Sequence, residues 1–185
     1  MDIFEVFDKR YSCRKYTDEK VDKNLLLKII DSARRAPSAC NGQPWHFIAV
    51  TDPERVKMVS EATRKGGIGI NKFTENVQSF IVLLKETPLV NRIAKLISHD
   101  YTPNDVGIAM ATMTYTATAL GLGSCIIGWF DEKKVMEALD VPKGKIPQLI
   151  LAVGYPEEQG RNPKKKELSE ICSFDRYGNK EFIEE

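Results

Sequence analysis

The chain has 185 residues, 42% hydrophobic and 29% charged, a balance that fits one folded domain with its own core. Its 27 basic and 26 acidic side chains leave a formal net charge of +1, so neither a basic nucleic-acid surface nor an acidic tail is expected, and any bound anion must be held by a local cluster. The acids in MDIFEVFDKR exclude a signal peptide, and no apolar run reaches the ~18–20 residues that span a bilayer, so a cytoplasmic chain with no membrane partner is expected.

Residues 2–9 read as a short helix with Ile3, Val6 and Phe7 on one face. A second helix is expected over 22–36, capped by Asp22, with Leu26, Ile29, Ile30 and Ala33 at helical spacing and Pro37 as its stop. The apolar run from His46 to Thr51 reads as a buried strand. Asp52-Pro53 has the form of an N-cap followed by proline at the first helical position, opening a helix to about Arg64. Ser79 to Leu84 is a second buried strand, and 88–98 is expected to be helical.

The segment from Pro103 to Leu120 is apolar or small nearly all round, which predicts a helix wrapped on every side. A partner subunit would supply that cover, and a central core helix in a monomer is the alternative. A short strand (Cys125 to Ile127), a helix capped by Asp131 and a last core strand over 148–153 follow. The charged tail from Glu157 to Glu185 is either a frayed end or an arm that wraps a neighbour. About four strands interleaved with helices make an α+β or α/β layered domain.

The four cysteines, Cys13, Cys40, Cys125 and Cys172, form no C-x-x-C pair and read as reduced, mostly buried thiols. His46 and His99 are too few for a histidine metal site, so no metal is expected.

Three segments carry candidate chemistry. Arg10-Tyr11-Ser12-Cys13-Arg14 sets two guanidiniums four residues apart around a hydroxyl, a set that suits a phosphate or a carbonyl-rich ring edge. Alone it is short and common, and a solvated basic turn accounts for it better. Ala36-Pro37-Ser38-Ala39-Cys40-Asn41-Gly42-Gln43-Pro44-Trp45 stops a helix and enters a strand, with Ser38, Asn41 and Gln43 offering hydroxyl and amide groups. A capping turn with a core tryptophan explains Pro37 and Trp45, and explains the three polar groups less well. Leu120-Gly121-Leu122-Gly123-Ser124-Cys125-Ile126-Ile127-Gly128 has the glycines of a dinucleotide loop after a helix rather than a strand, which excludes the Rossmann reading. The alternative is a backbone edge at Ile127-Gly128 against a flat ring, where glycine permits close approach.

As an ordered set, together with P-x-L-I-L-A-V-G-Y-P, these motifs resemble the nitroreductase-like family of FMN-dependent oxidoreductases from Phe7 to about Lys166. The resemblance implies an α+β, three-layer α/β/α domain with a central, mostly antiparallel sheet, forming an intertwined homodimer with FMN between the subunits. It implies that Arg10, Ser12 and Arg14 meet the flavin phosphate and pyrimidine edge. Ser38, Asn41 and Gln43 would approach from the partner chain, and the Ile127-Gly128 backbone would face the flavin N5 region. In Asn162-Pro163-Lys164-Lys165-Lys166, Lys164 and Lys166 match a basic phosphate clamp, and Asn71 falls near the ring's polar edge.

The expected reaction is ping-pong, with NADH or NADPH as donor and a nitroaromatic, quinone or other small molecule as acceptor. The cofactor carries the hard chemistry, so no separate catalytic side chain is needed. Arg14, then Arg10, is the cation expected to favour the reduced flavin. Two departures stand out. The lid region between Leu84 and Asp105 is short, and Ile127 stands where some members place an acid, which leaves only a main-chain contact to N5. Reductive dehalogenation, flavin breakdown and non-catalytic FMN storage or sensing are the competing functions.

Overall fold

The computed structural model describes residues 1–66, 69–86, 100–160 and 163–181. The helix expected over 88–98 and Asn162 of the basic motif lie outside them.

Local chemistry opens the helices where the caps predict. Asp2 and Glu5 form a reciprocal capping box for α1 (Ile3–Lys9). Asp22 accepts from Asn24 N at the start of α2 (Lys23–Arg34). The helix ends before Pro37, because Ala36, as the residue preceding proline, disfavours the helical conformation. Asp52 caps α3 (Pro53–Thr63) through Arg55 N, with proline in its first turn.

Among the described residues four strands follow the expected segments: β1 (Trp45–Val50) is shifted back by one residue, and β2 (Ser79–Lys85), β3 (Gly123–Ile127) and β4 (Ile146–Gly154) are slightly longer than expected. They make one antiparallel sheet in the order β1-β2-β4-β3. Alternation of side chains sends successive residues to opposite faces. Ile81, Leu83, Leu151 and Val153 meet Leu26 and Ile29 of α2 and Met110 and Met113 of α4 (Thr102–Ala119). Phe80, Val82, Leu84, Ile150 and Ala152 meet Val59 of α3 and Val135 of α5 (Glu132–Ala138). Two cores on one sheet explain why β2 is buried at nearly every position.

Within one chain α4 is covered along one side, so the alternative of a central core helix wrapped by its own subunit does not hold. One chain buries only Thr102, Asp105, Val106, Ala109, Met110, Met113, Thr114 and Ala117. Ile108 on the other side is 40% exposed, and nothing lies within 4 Å of a Cβ built on Gly107. The Thr112, Thr114, Thr116 and Thr118 hydroxyls bond to carbonyls three or four residues back at 2.8–3.0 Å, so these side chains present methyl groups without leaving polar atoms unpaired. Beside α4, Phe7 packs edge-to-face on Tyr115 at 4.9 Å, while Ile3, Phe4 and Phe7 stay largely exposed. A second apolar face therefore runs along α1 and α4.

The thiol expectation holds for two of four: Cys13 and Cys125 are buried, whereas Cys40 and Cys172 are exposed in a loop and in the tail. Among the described residues of the tail from 157 onward there is one short helix, α6 (Leu168–Ile171). Leu168, Ile171, Phe174 and Tyr177 are exposed there. Among the described residues, no helix is long and apolar enough to cross a membrane.

Candidate functional site

The R-x-S-x-R segment becomes a strap along the free edge of β3. Arg10 ends α1 and turns the chain into extended conformation. Ser12 then pairs with Ser124 in a parallel bridge, and Cys13 N donates to Ser124 O at 2.9 Å. Farther on, Tyr16 bridges Pro156 and its buried hydroxyl donates to Cys13 O at 2.8 Å. The strap fits because β3 and β4 present hydrogen atoms to it. A Cβ on Gly123 would stand 2.7 Å from Cys13 Sγ, and one on Gly154 2.7 Å from Tyr16 Cδ1.

Arg14 is exposed, with its guanidinium carbon 5.9 Å from the Phe73 ring centroid. Among the described residues, neither Arg10 nor Arg14 has a carboxylate within ion-pair distance. Burial pushes the Cys125 thiol up, and the nearby Arg14 and Arg10 charges oppose that shift. Ser124 Oγ is buried without a hydrogen-bond partner.

The turn that carries Asn71 and Phe73 meets the segment after β3 and, through Phe73, Arg14 of the strap. Asn71 adopts a left-handed conformation (φ 59°), and its Nδ2 donates to Thr63 O and Trp129 O, both at 3.1 Å. That amide ties the turn bearing Phe73 to the segment after β3, leaving Asn71 its carbonyl oxygen for other contacts. Ile127 is buried, and Gly128 is exposed with only Leu149 at 3.7 Å from a built Cβ. Nothing among the described residues therefore requires glycine at 128. Tyr11 donates to Glu158 O at 2.7 Å, and burial is the first cause that pushes its phenol up to about 12. Together Tyr11, Ser12, Arg14, Glu158 and Gly160 line a cleft of about 250 Å³.

Lys164 and Lys166 are exposed on the extended stretch before α6. Lys164 lies 3.8 Å from Glu167, and among the described residues neither lysine bonds to the strap.

The second polar group stands elsewhere. Ser38 is the N-cap of a 3-10 turn (Ala39–Asn41), its Oγ accepts from Gln43 N at 3.0 Å, and Gln43 Nε2 donates to Asn41 O at 3.2 Å. Cys40, Asn41 and Gln43 all have positive φ, at 51°, 53° and 47°. Asp105 of α4 accepts from Ala39 N at 3.0 Å. This loop feeds β1, while the strap attaches to β3. Those are the two edge strands, three spacings or about 14 Å apart. The sequence motifs point to both groups but not to their separation. They also miss Phe73 and Asp105, although Asp105 is conspicuous as the sole charge in α4.

A larger cleft of about 860 Å³ between α2, α3 and the turn at 72–76 contains none of these residues. It mixes Lys20, Lys23 and Lys57 with Asp52, Glu61 and Glu75, and its Arg64 already pairs with Glu75.

The fold and the site define an α+β protein with two guanidiniums that no carboxylate among the described residues pairs, a polar loop and a glycine-backed strand end. Residues 8–155 match the Nitroreductase family, and the chain belongs to that family. It is 32% identical over 172 residues to an NAD(P)H FMN reductase of Bacillus subtilis, covering 85% of this chain and 66% of that protein. It is 29% identical over 176 residues to a Methanothermobacter thermautotrophicus protein described as a putative NADH dehydrogenase/NAD(P)H nitroreductase, covering 91% and 83%. An iodotyrosine deiodinase of Thermotoga neapolitana is 27% identical over 172 residues, covering 84% and 89%. The solved FMN-dependent nitroreductase of Clostridium difficile R20291 superposes with a TM-score of 0.77 at 29% identity, covering 94% of this chain and 99% of that one.

Proposed function

We propose that this chain is an FMN-dependent oxidoreductase that takes electrons from NADH or NADPH and passes them to a small organic acceptor, such as a nitroaromatic or a quinone. It works as a three-layer, single-domain subunit of a homodimer, with the cofactor between subunits. The observation that carries this reading is the split donor set. One chain holds its guanidiniums at one sheet edge and its amide loop at the other, and its strap cleft of about 250 Å³ falls below the ~300 Å³ at which ligand pockets begin. A second copy supplies the missing half.

The residues fit the cofactor. Among the described residues Arg10 and Arg14 have no ion-pair partner, Ser124 Oγ is buried and unsatisfied, and Gly128 leaves its face of the backbone open. When bound, FMN supplies the hydride and electron chemistry. Arg10, Ser12 and Arg14 bind its phosphate and pyrimidine edge, and Lys164 and Lys166 add positive charge for the phosphate. The Ile127-Gly128 backbone bounds the reactive face, and Ser38, Asn41 and Gln43 reach in from the partner. Asn71 contributes at most its carbonyl oxygen, since its amide N–H groups hold Thr63 and Trp129. Donor and acceptor use the same open face in turn, which gives ping-pong kinetics.

The test is the anaerobic visible spectrum of the purified protein with NADH and then NADPH. A flavin spectrum that bleaches with one of them supports the reading. A flavin that neither bleaches, or a protein that fails to take up FMN, overturns it. The deiodinase relative favours a second acceptor class, which halide release in the same assay would detect.

The exposed apolar face also makes a prediction. Ile108→Glu sets an unpaired charge in the proposed interface, costing about 3 kcal/mol or more, above 100-fold in dimer dissociation. Sedimentation analysis should show monomers stripped of FMN. An intact dimer would put the interface on another face.

A further inference from the structure

We infer that Asp105 is a positioning residue for cofactor binding: its carboxylate, through Ala39, holds the 38–43 loop in the shape that presents Ser38 and Asn41. The inference rests on the proposed reading that this loop meets FMN.

Asp105 is 3% exposed, in a helix with no other charge. Its Oδ1 accepts from Ala39 N at 3.0 Å, across 66 residues of chain. Its Oδ2 is buried with no partner. A buried carboxylate with one unsatisfied oxygen is unfavourable by itself. Acidic charge in the first turn suits the helix dipole, but an exposed residue would serve that purpose without desolvation.

The loop explains the carboxylate better. Three non-glycine residues with positive φ are strained and persist only when their surroundings over-determine them. The other bonds of the turn are internal: Asn41 N to Ser38 O, Gly42 N to Ala39 O and Gln43 N to Ser38 Oγ. The Ala39–Asp105 bond instead fastens the turn to α4. The loop is thereby fixed to the helix whose open face meets the partner.

The test compares D105A, D105N, A39P, S38A and N41A as FMN-loaded proteins, with FMN release on dilution followed by fluorescence. Proline at 39 removes the N–H but leaves Asp105 intact, and Ser38 already has the extended backbone that precedes proline (φ −143°, ψ 155°). Asparagine keeps an oxygen for Ala39 and puts an N–H donor at the unpartnered oxygen. D105A and A39P should weaken FMN roughly tenfold or more, while D105N stays within about threefold of the parent. Amide exchange at Ala39 in the loaded protein should accelerate roughly tenfold in D105A and stay slow in D105N. Parent-like FMN retention in D105A and A39P, with losses in S38A or N41A, overturns the positioning role. So does a D105N loss equal to that of D105A. If S38A and N41A both bind as the parent does, the loop does not meet FMN, and the inference fails with that reading.

Discussion

Arg14→Ala should bind FMN about 10- to 100-fold more weakly and lower its reduction potential by about 30 mV, while folding as stably as the parent. Each part follows from a different feature of the site. The guanidinium is exposed, and its one described ring contact, to Phe73, is at 5.9 Å, so its removal should change folding stability by no more than about 0.5 kcal/mol. No carboxylate neutralises it among the described residues, so its full charge is available to an anionic ligand. A hydrogen bond to a charged group contributes about 1.5–3 kcal/mol, which sets the affinity range. A cation near the ring edge favours the form that carries more negative charge. About 1.4 kcal/mol of that preference corresponds to about 30 mV for a two-electron couple. Fluorescence titration measures the first effect, and equilibration against a reference dye the second. Arg14→Lys should recover part of the affinity, since it restores charge without the planar fork. An unchanged potential with weakened binding would leave Arg14 as a phosphate contact and exclude it from tuning.

How much of this was legible in the sequence depends on the range of the interaction. Asp22, Asp52-Pro53 and Asp131 act on N–H groups two or three residues away, so the helix starts could be read directly. The apolar runs of β2 and β4 likewise announce buried strands. The amphipathicity of α4 was hidden because its open face is also apolar, with Ile108, Ala111 and Tyr115 where a lone subunit would carry charge. Strand order was hidden as well, and strand order separates the Ser38 loop from Arg10 and Arg14. The motifs name the donors but carry no information on which sheet edge holds them. Asp105 shows the same limit: a single acid in an apolar helix signals a purpose, but its partner is 66 residues away.

Gly123→Ala should destabilise the protein by about 1–3 kcal/mol and weaken FMN in the same variant. The added methyl would meet Cys13 Sγ at 2.7 Å, Cys13 Cβ at 2.9 Å and Pro156 Cβ at 3.3 Å. Cys13 is 1% exposed and cannot swing clear, and its Cβ is fixed to the backbone that bonds Ser124. Relief therefore requires the strap to move off β3, which stretches the Cys13 N–Ser124 O bond and displaces Ser12 and Arg14 together. Backbone conformation does not confuse the test, because Gly123 is absent from the residues with positive φ. A melting temperature lower by roughly 2–12 °C is expected, at about 2–4 °C per kcal/mol for a chain of this size. Replacing Cys13 by alanine removes the nearer clash, so the C13A/G123A pair should be more stable than the sum of its singles, by about 0.5 kcal/mol or more. Additive losses would mean that the strap and β3 do not press on each other. The cofactor effect would then need another route, since the packing of Cys13 against Gly123 is what ties strand stability to the placement of the arginines.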